Sequence, residues 1–258
     1  MGNTALVTGA SSGIGQEFAR YHAERGGDLI ITARREDALN DLKAALEKEH
    51  GVKVHVFALD LGAPEGAATL CDKIRDAGLE VDILINNAGF GGQGKHIERA
   101  LEDELAMIDL NVRALVSLCH KLAPDMVARG SGKILNVAST AAFMPGPNQA
   151  VYFATKAFVK SFSEALAQEL AGTGVSVTVL APGYVETEFA DRSGLTGTKL
   201  VSGGGATPRS VAKYGYDAMR RSELVAVNEK GLGFMVDWVI PLMPRRAVLK
   251  LIERMQAK

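Results

Sequence analysis

The chain has 258 residues, a formal net charge of −1, 47% hydrophobic and 23% charged residues. A chain of this length buries roughly three quarters of its unfolded surface and needs no disulfide framework; its two cysteines, Cys71 and Cys119, lie in apolar helical stretches, where buried reduced thiols are expected rather than metal ligands. Lysine and arginine are scattered, without the basic stripe that follows a phosphate backbone, which argues against nucleic acid as a partner.

Apolar runs and helical periodicities alternate from the start. The first strand closes at Leu6-Val7, and Ile14 to Arg25 follows as a helix with Ile14, Phe18, Ala19 and His22 on one face. Leu29 to Thr32 reads as a buried strand, Glu36 to Glu49 as a helix carrying Leu39, Leu42 and Leu46, and Val52-Val54-Val56 as a third strand. A helix is expected over Pro64 to Ala77, with the proline in its first turn. Strands at Ile83 to Ile85 and Ile134 to Val137 flank a long helical region, Leu101 to Arg129. Val151 to Ala171 is an amphipathic helix and Val175 to Leu180 a sixth strand. A glycine-rich irregular stretch from Tyr184 to about Ala206 precedes a helix from Pro208 to Arg221 and a last strand, Leu224 to Val227. Irregular segments of that length are often lids, so residues 184–222 are expected to cover a binding site. Alternation of this kind predicts one α/β domain over residues 1–258: a doubly wound parallel sheet of about seven strands with helices on both faces.

The turn between the first strand and helix, Thr8-Gly9-Ala10-Ser11-Ser12-Gly13-Ile14-Gly15, has the chemistry of a phosphate cradle. Gly9 permits the tight turn, Gly13 lets backbone approach a pyrophosphate, Gly15 lets the helix pack on the sheet, and the N–H groups of Ser11, Ser12 and Ile14 open towards an anion. An acidic residue that binds an adenosine ribose is expected roughly twenty residues further on. Ala33, Arg34 and Arg35 stand there instead, and guanidinium groups suit a 2′-phosphate, so NADP(H) is expected over NAD(H). Tyr152 and Lys156 are four apart on a helix and share a face, with Ser139 at the end of the preceding strand.

With these motifs in order, residues 3 to 190 resemble the short-chain dehydrogenase/reductase family, and the remainder does so loosely. The matching features are Thr8 to Gly15, Asn86-Asn87-Ala88-Gly89, Asn111, Ser139, Tyr152-x-x-x-Lys156, Pro182-Gly183 and Thr187, with Asp60-Leu61 at a position that meets adenine in the family. The resemblance implies a Rossmann-like fold and a catalytic group of Asn111, Ser139, Tyr152 and Lys156. Tyr152 would donate a proton to a carbonyl oxygen, helped by an ammonium and the cofactor's positive nicotinamide ring, which lower its pKa. Ser139 would bond the same oxygen, Lys156 would hold the nicotinamide ribose, and Asn111 would link Lys156 to solvent through water. Asn87, Ala88, Gly89, Pro182, Gly183, Val185 and Thr187 would line the cofactor. A homodimer or homotetramer is implied, formed through the helices around Leu105 to Arg129 and Val151 to Ala171, with Phe158, Phe162 and Leu166 as candidate contacts.

Substrate contacts are expected from Phe90, Phe143, Met144, Pro145, Tyr184 and Phe189, an apolar and aromatic set that suits a lipophilic or bulky neutral carbonyl/alcohol pair, acyl- or steroid-like compounds included. The segment 231–258 pairs apolar Val248, Leu251, Ile252 and Met255 with Arg246, Lys250 and Arg254. Docking onto the domain or a second subunit is its favoured reading, and peripheral membrane contact the second. The stretch from Gly231 to Met243 contains Asp237 and Pro241 and is too short to span a bilayer, and the N-terminus lacks a secretion signal, so a cytoplasmic location is expected. The five histidines form no ligand cluster, and no metal is expected. Two other functions compete with an enzyme: a non-catalytic NADP(H) sensor, whose kind usually lacks the tyrosine or lysine kept here, and a membrane-associated interaction protein.

Overall fold

In the computed structural model, which describes residues 3–257, the apolar runs pair side by side into one sheet. Its strands are β1 (Thr4–Thr8), β2 (Asp28–Ala33), β3 (Val54–Ala58), β4 (Ile83–Asn86), β5 (Gly132–Val137), β6 (Val175–Leu180) and β7 (Val225–Ala226). They lie in the order β3-β2-β1-β4-β5-β6-β7, every pair parallel. This is the single Rossmann-like domain expected, with the order reversing between β1 and β4, where open α/β sheets bind ligands.

Strand side chains alternate between two cores. Ala5, Val7, Leu29, Ile31, Ile83 and Ile85 face a layer formed by α1 (Gly13–Ala23), α2 (Glu36–His50) and α9 (Pro208–Arg220). Leu6, Ile30, Leu84, Ile134, Val177 and Val179 face α3 (Gly66–Asp76), α5 (Leu115–Ala128) and α6 (Ala150–Glu169). Both sheet faces are therefore dry, which explains runs of consecutive apolar residues instead of an in–out alternation.

Several boundaries differ from the sequence-based ones. β3 starts at Val54, and α3 starts at Gly66, beyond Pro64. A Cβ at residue 66 would sit 2.2 Å from the Asp60 carbonyl oxygen, so only glycine lets this helix start press against the end of β3. The long helix expected from Leu101 to Arg129 is α4 (Leu101–Ile108) and α5 joined by a π-helical turn, Asp109–Ala114. The expected lid, 184–222, divides in two. Residues 184–206 arch over the sheet edge with two short helices, α7 (Phe189–Arg192) and α8 (Lys199–Ser202), and are tied at the base by a Val185–Ala206 bridge. The rest is α9, whose Val211, Ala212, Tyr216 and Met219 are core residues, so it covers the sheet and not the site.

The chain ends in α10 (Lys230–Phe234), a π-helical turn (Met235–Val239), a 3-10 turn (Ile240–Leu242) and α11 (Arg245–Gln256). Val248 and Ile252 of α11 pack with Met107, Ala141, Tyr152, Phe153 and Ile240, so this segment docks on its own domain. Among the described residues no helix is long and apolar enough to cross a membrane.

Candidate active site

At the carboxyl ends of β1, β4, β5 and β6 lies a cavity of about 950 Å³. One end is the glycine turn. Gly9 has φ +68°, and a Cβ at Gly15 would lie 2.3 Å from the Gly9 carbonyl oxygen, so the turn and the helix behind it close only without side chains. The first N–H groups of α1 have no helical acceptors, and Ser12 does not cap them with its side chain. They remain open to an anion. Ser11, Ser12, Gly13 and Ile14 line this end, with Arg34, Arg35, Asp60 and Leu61 beside them. These features fit a dinucleotide.

Arg35 donates to the Ser11 hydroxyl and carbonyl, both at 3.3 Å, and pairs with Glu188 of the covering segment at 3.3 Å. Arg34 is exposed and has no ion-pair partner among the described residues. Asp60 accepts from the Gly62 N–H at 2.9 Å. The β4 end is tied to the turn. The Thr8 hydroxyl accepts from the N–H groups of Asn87 and Ala88, both at 2.9 Å, and the Asn87 amide donates to the Thr8 carbonyl at 2.9 Å. Gly89 follows at the cavity wall. Pro182, Gly183, Val185 and Thr187 line it from the β6 side.

Helix α6 carries Tyr152, Lys156, Val159 and Ser163 on one buried stripe at helical spacing. A polar relay holds that stripe to the sheet. Asn86 donates to Asn136 across β4–β5 at 2.9 Å, Asn136 donates to the Ser163 hydroxyl at 2.8 Å, and that hydroxyl donates to the Val159 carbonyl. Ser139, Tyr152 and Lys156 thereby reach one stretch of wall. The Lys156 ammonium donates to the Val137 carbonyl at 2.9 Å and lies 5.9 Å from the Tyr152 ring centre.

The titration expected for this group is not what the protein's own groups produce. Burial pushes the Tyr152 phenol up to about 12, opposed by its hydrogen bond with Ser139. Burial pushes the Lys156 ammonium down to about 8. Both groups lose water, and desolvation favours the neutral form of each.

Asn111 sits in the π-helical turn, buried. Its amide donates to the Phe90 carbonyl at 2.9 Å and to the Thr155 hydroxyl at 3.1 Å, while its oxygen accepts from the Phe90 N–H at 3.0 Å. Asn111 thus braces the β4 loop against α6. It also approaches Lys156: a Cβ at Gly89 would meet Asn111 Oδ1 at 2.9 Å and Lys156 Nζ at 3.5 Å.

Of the substrate-side candidates, Phe90, Met144, Tyr184 and Phe189 line the cavity, and the Phe189 and Tyr152 ring centres are 5.5 Å apart. Phe143 does not. Residues Thr140–Phe143 form a 3-10 turn; Thr140, Ala141 and Met144 line the cavity, while Phe143 lies under the Lys160 ammonium at 5.0 Å. Pro145 is exposed and also off the wall. Sequence reasoning missed Gln149 and the C-terminal wall formed by Met235, Val236, Ile240, Ile252, Met255 and Gln256. The apolar spacing in α11 signalled a buried face, but nothing in the sequence said against what.

Residues 3–196 match the family described as short chain dehydrogenase. Sulfoacetaldehyde reductase 2 of Chromohalobacter salexigens is 39% identical over 191 residues, 73% of this chain and 75% of that protein. Serine 3-dehydrogenase of Agrobacterium fabrum is 37% identical over 190 residues, 73% and 74% of the two chains. Among solved structures, a short-chain dehydrogenase from Sphingobium yanoikuyae in complex with NADPH is 32% identical, covers 99% of this chain and 98% of that one, and has a TM-score of 0.85. With the glycine turn, the tyrosine–lysine stripe and the strand order all in place, this chain belongs to the short chain dehydrogenase family and is an NAD(P)-dependent oxidoreductase.

Proposed function

We propose that the protein reduces the carbonyl of a bulky, lipophilic, neutral compound, with NADPH preferred over NADH. The observation that carries this reading is a cavity that runs from the glycine turn, past Ser139, Tyr152 and Lys156, to an apolar far end. Bound NADPH would supply the hydride. Ser11, Ser12, Gly13 and Ile14 would take its pyrophosphate, Arg34 and Arg35 its 2′-phosphate, Asp60 and Leu61 its adenine. Asn87, Ala88 and Gly89 would border its ribose, held by Lys156 and Tyr152. Pro182, Gly183, Val185 and Thr187 would border the carboxamide.

At neutral pH the Tyr152 phenol, raised by burial, is fully protonated, the form that donates to a carbonyl oxygen becoming an alkoxide. Ser139 would hold that oxygen by a second hydrogen bond. Lys156 would stabilise the phenolate left behind, and Asn111 would fix the loop and helix that set the distance between them. The far wall supports a lipophilic substrate, and most of it lies beyond residue 196, where the family match ends. The small substrates named in the relatives' descriptions therefore do not define this site. An exposed apolar strip, with Leu101, Leu105, Ile108 and Phe158 on α4 and α6, supports a homodimer or homotetramer.

Tyr152→Phe tests the mechanism. The variant should fold and bind NADPH, while turnover of a bulky ketone falls about 100-fold or more. Near-normal NADPH oxidation in that variant removes Tyr152 as the acid.

A further inference from the structure

The end of the cavity remote from the glycine turn is walled by Phe153, Leu195, Met235, Ile240, Ile252 and Met255. Two polar side chains interrupt it. Gln149 is 3% exposed and its Nε2 has no hydrogen-bond partner. Gln256 is 1% exposed, and among the described residues neither its Nε2 nor its Oε1 has one. Both residues border the cavity, with those amide atoms themselves covered. A third group, the Ser193 hydroxyl, is 2% exposed and equally unpaired.

These residues come from three distant stretches and converge on one loop. The Gln93 N–H donates to the Ser193 carbonyl at 2.9 Å, and the Gln93 side-chain amide donates to the Gln256 carbonyl at 2.6 Å. The Gly94 N–H donates to the carbonyl of Asn148, next to Gln149, at 2.8 Å. Backbone bonding therefore fixes where the free amides stand. The neighbouring Gly91 borders the proposed acid: a Cβ there would meet the Ser193 hydroxyl at 3.1 Å and the Tyr152 ring at 3.2 Å. Buried amides without partners are destabilising, and a leucine or methionine would fill the same space without that cost. Their presence together beside one cavity points to a partner that arrives with the ligand.

We propose that Gln149 and Gln256 recognise a second, neutral polar group of the substrate, apart from the carbonyl that is reduced. The substrate class is then a bulky lipophilic ketone or aldehyde bearing in addition a hydroxyl, a second carbonyl or a carboxamide. The proposal rests on the reductase reading for the near end alone. Turned into the cavity, the Gln256 amide presents a donor and an acceptor together, which a hydroxyl satisfies at once. An anionic group fits poorly, since the Lys156 ammonium stands at the reacting end. The arginines on the cavity wall are Arg34 and Arg35 at the dinucleotide end and Arg192, and Arg35 and Arg192 are both paired with Glu188.

The test uses cyclohexylcyclohexanone and its analogue hydroxylated on the far ring. Each is titrated calorimetrically into the full-length protein, with and without NADP+. The hydroxylated ketone should bind about tenfold more tightly. Gln149→Leu should weaken that preference and Gln256→Leu should erase it, the two ketones then binding alike. Without ligand, Gln256→Leu should unfold at a higher temperature than the parent, whereas a merely structural glutamine would give a lower one. Equal affinities in the parent protein, no binding of either ketone, or a preference that survives both replacements overturns the proposal. A preference lost in the variants, but with no NADPH oxidation by either ketone, upholds it and sinks the reductase reading instead.

Discussion

Replacing Lys156 by methionine separates the energetic role of this residue from its chemical one. Its ammonium is buried, has no ion-pair partner among the described residues, and donates to the Val137 carbonyl at 2.9 Å. Burial lowers its pKa from 10.5 to about 8. At neutral pH the folded chain therefore carries a charge it would shed more readily than the unfolded chain, a penalty of ~3 kcal/mol at 1.36 kcal/mol per pKa unit. The sign follows from proton counting. Between about pH 8 and 10.5 the unfolded chain keeps a proton that the folded chain has released. Stability from this site thus rises with pH across that window and is flat below it. Lys156→Met removes the penalty and leaves the Val137 carbonyl without its donor, a loss of ~1 kcal/mol. The variant should be more stable than the parent by ~2 kcal/mol at pH 7, with the gain shrinking and reversing as pH approaches 10.5. Urea unfolding followed by far-ultraviolet circular dichroism, at one fixed protein concentration and at pH 7 and pH 10, measures it. A variant less stable than the parent at pH 7, or a difference identical at both pH values, refutes the reasoning. Cofactor binding should weaken in the same protein whichever way its stability moves.

Arg34→Ala should raise the Michaelis constant for NADPH about tenfold or more and leave that for NADH nearly unchanged, since a guanidinium beside a phosphate contributes a charge-assisted bond; equal effects in steady-state kinetics with the two cofactors would remove the 2′-phosphate argument. Burial pushes the thiols of Cys71 and Cys119 up to about 11 and about 12. At pH 8 no more than about one molecule in a thousand carries either thiolate, so the folded protein should resist iodoacetamide, and rapid labelling detected by mass spectrometry would contradict the burial described.

What could be read from the sequence was what local chemistry dictates. Apolar strands bounded by turn residues identified the sheet, and the glycines at 9, 13 and 15 identified the cradle, because a Cβ at Gly15 cannot coexist with the Gly9 carbonyl. The stripe of Tyr152, Lys156, Val159 and Ser163 follows from helical spacing alone. What escaped depends on distance through space. One extra residue in the turn Asp109–Ala114 directs Asn111 towards Phe90 and Thr155, and such an insertion leaves the composition of a helix unchanged. Phe143 was expected on the cavity wall only from its place in the loop after β5, and the short 3-10 turn there directs it towards Lys160 instead. The ammonium and the cofactor's ring were together expected to lower the phenol's pKa; among the protein's own groups desolvation, invisible in sequence, raises it. Gln256 lies more than a hundred residues from any strand-end motif on the same cavity except those after β6, and only tertiary docking of α11 brings it there.

The docked C-terminal segment also contains its own optical probe. Trp238, the chain's one tryptophan, is 65% exposed in the turn whose neighbours Met235 and Val236 line the cavity. Indole emission from this protein consequently originates at a single point, on the outer side of the turn that carries Met235 and Val236 to the wall. Stopped-flow fluorescence can therefore time any displacement of the segment as a ligand enters or leaves, without a dye and without interference from the sheet.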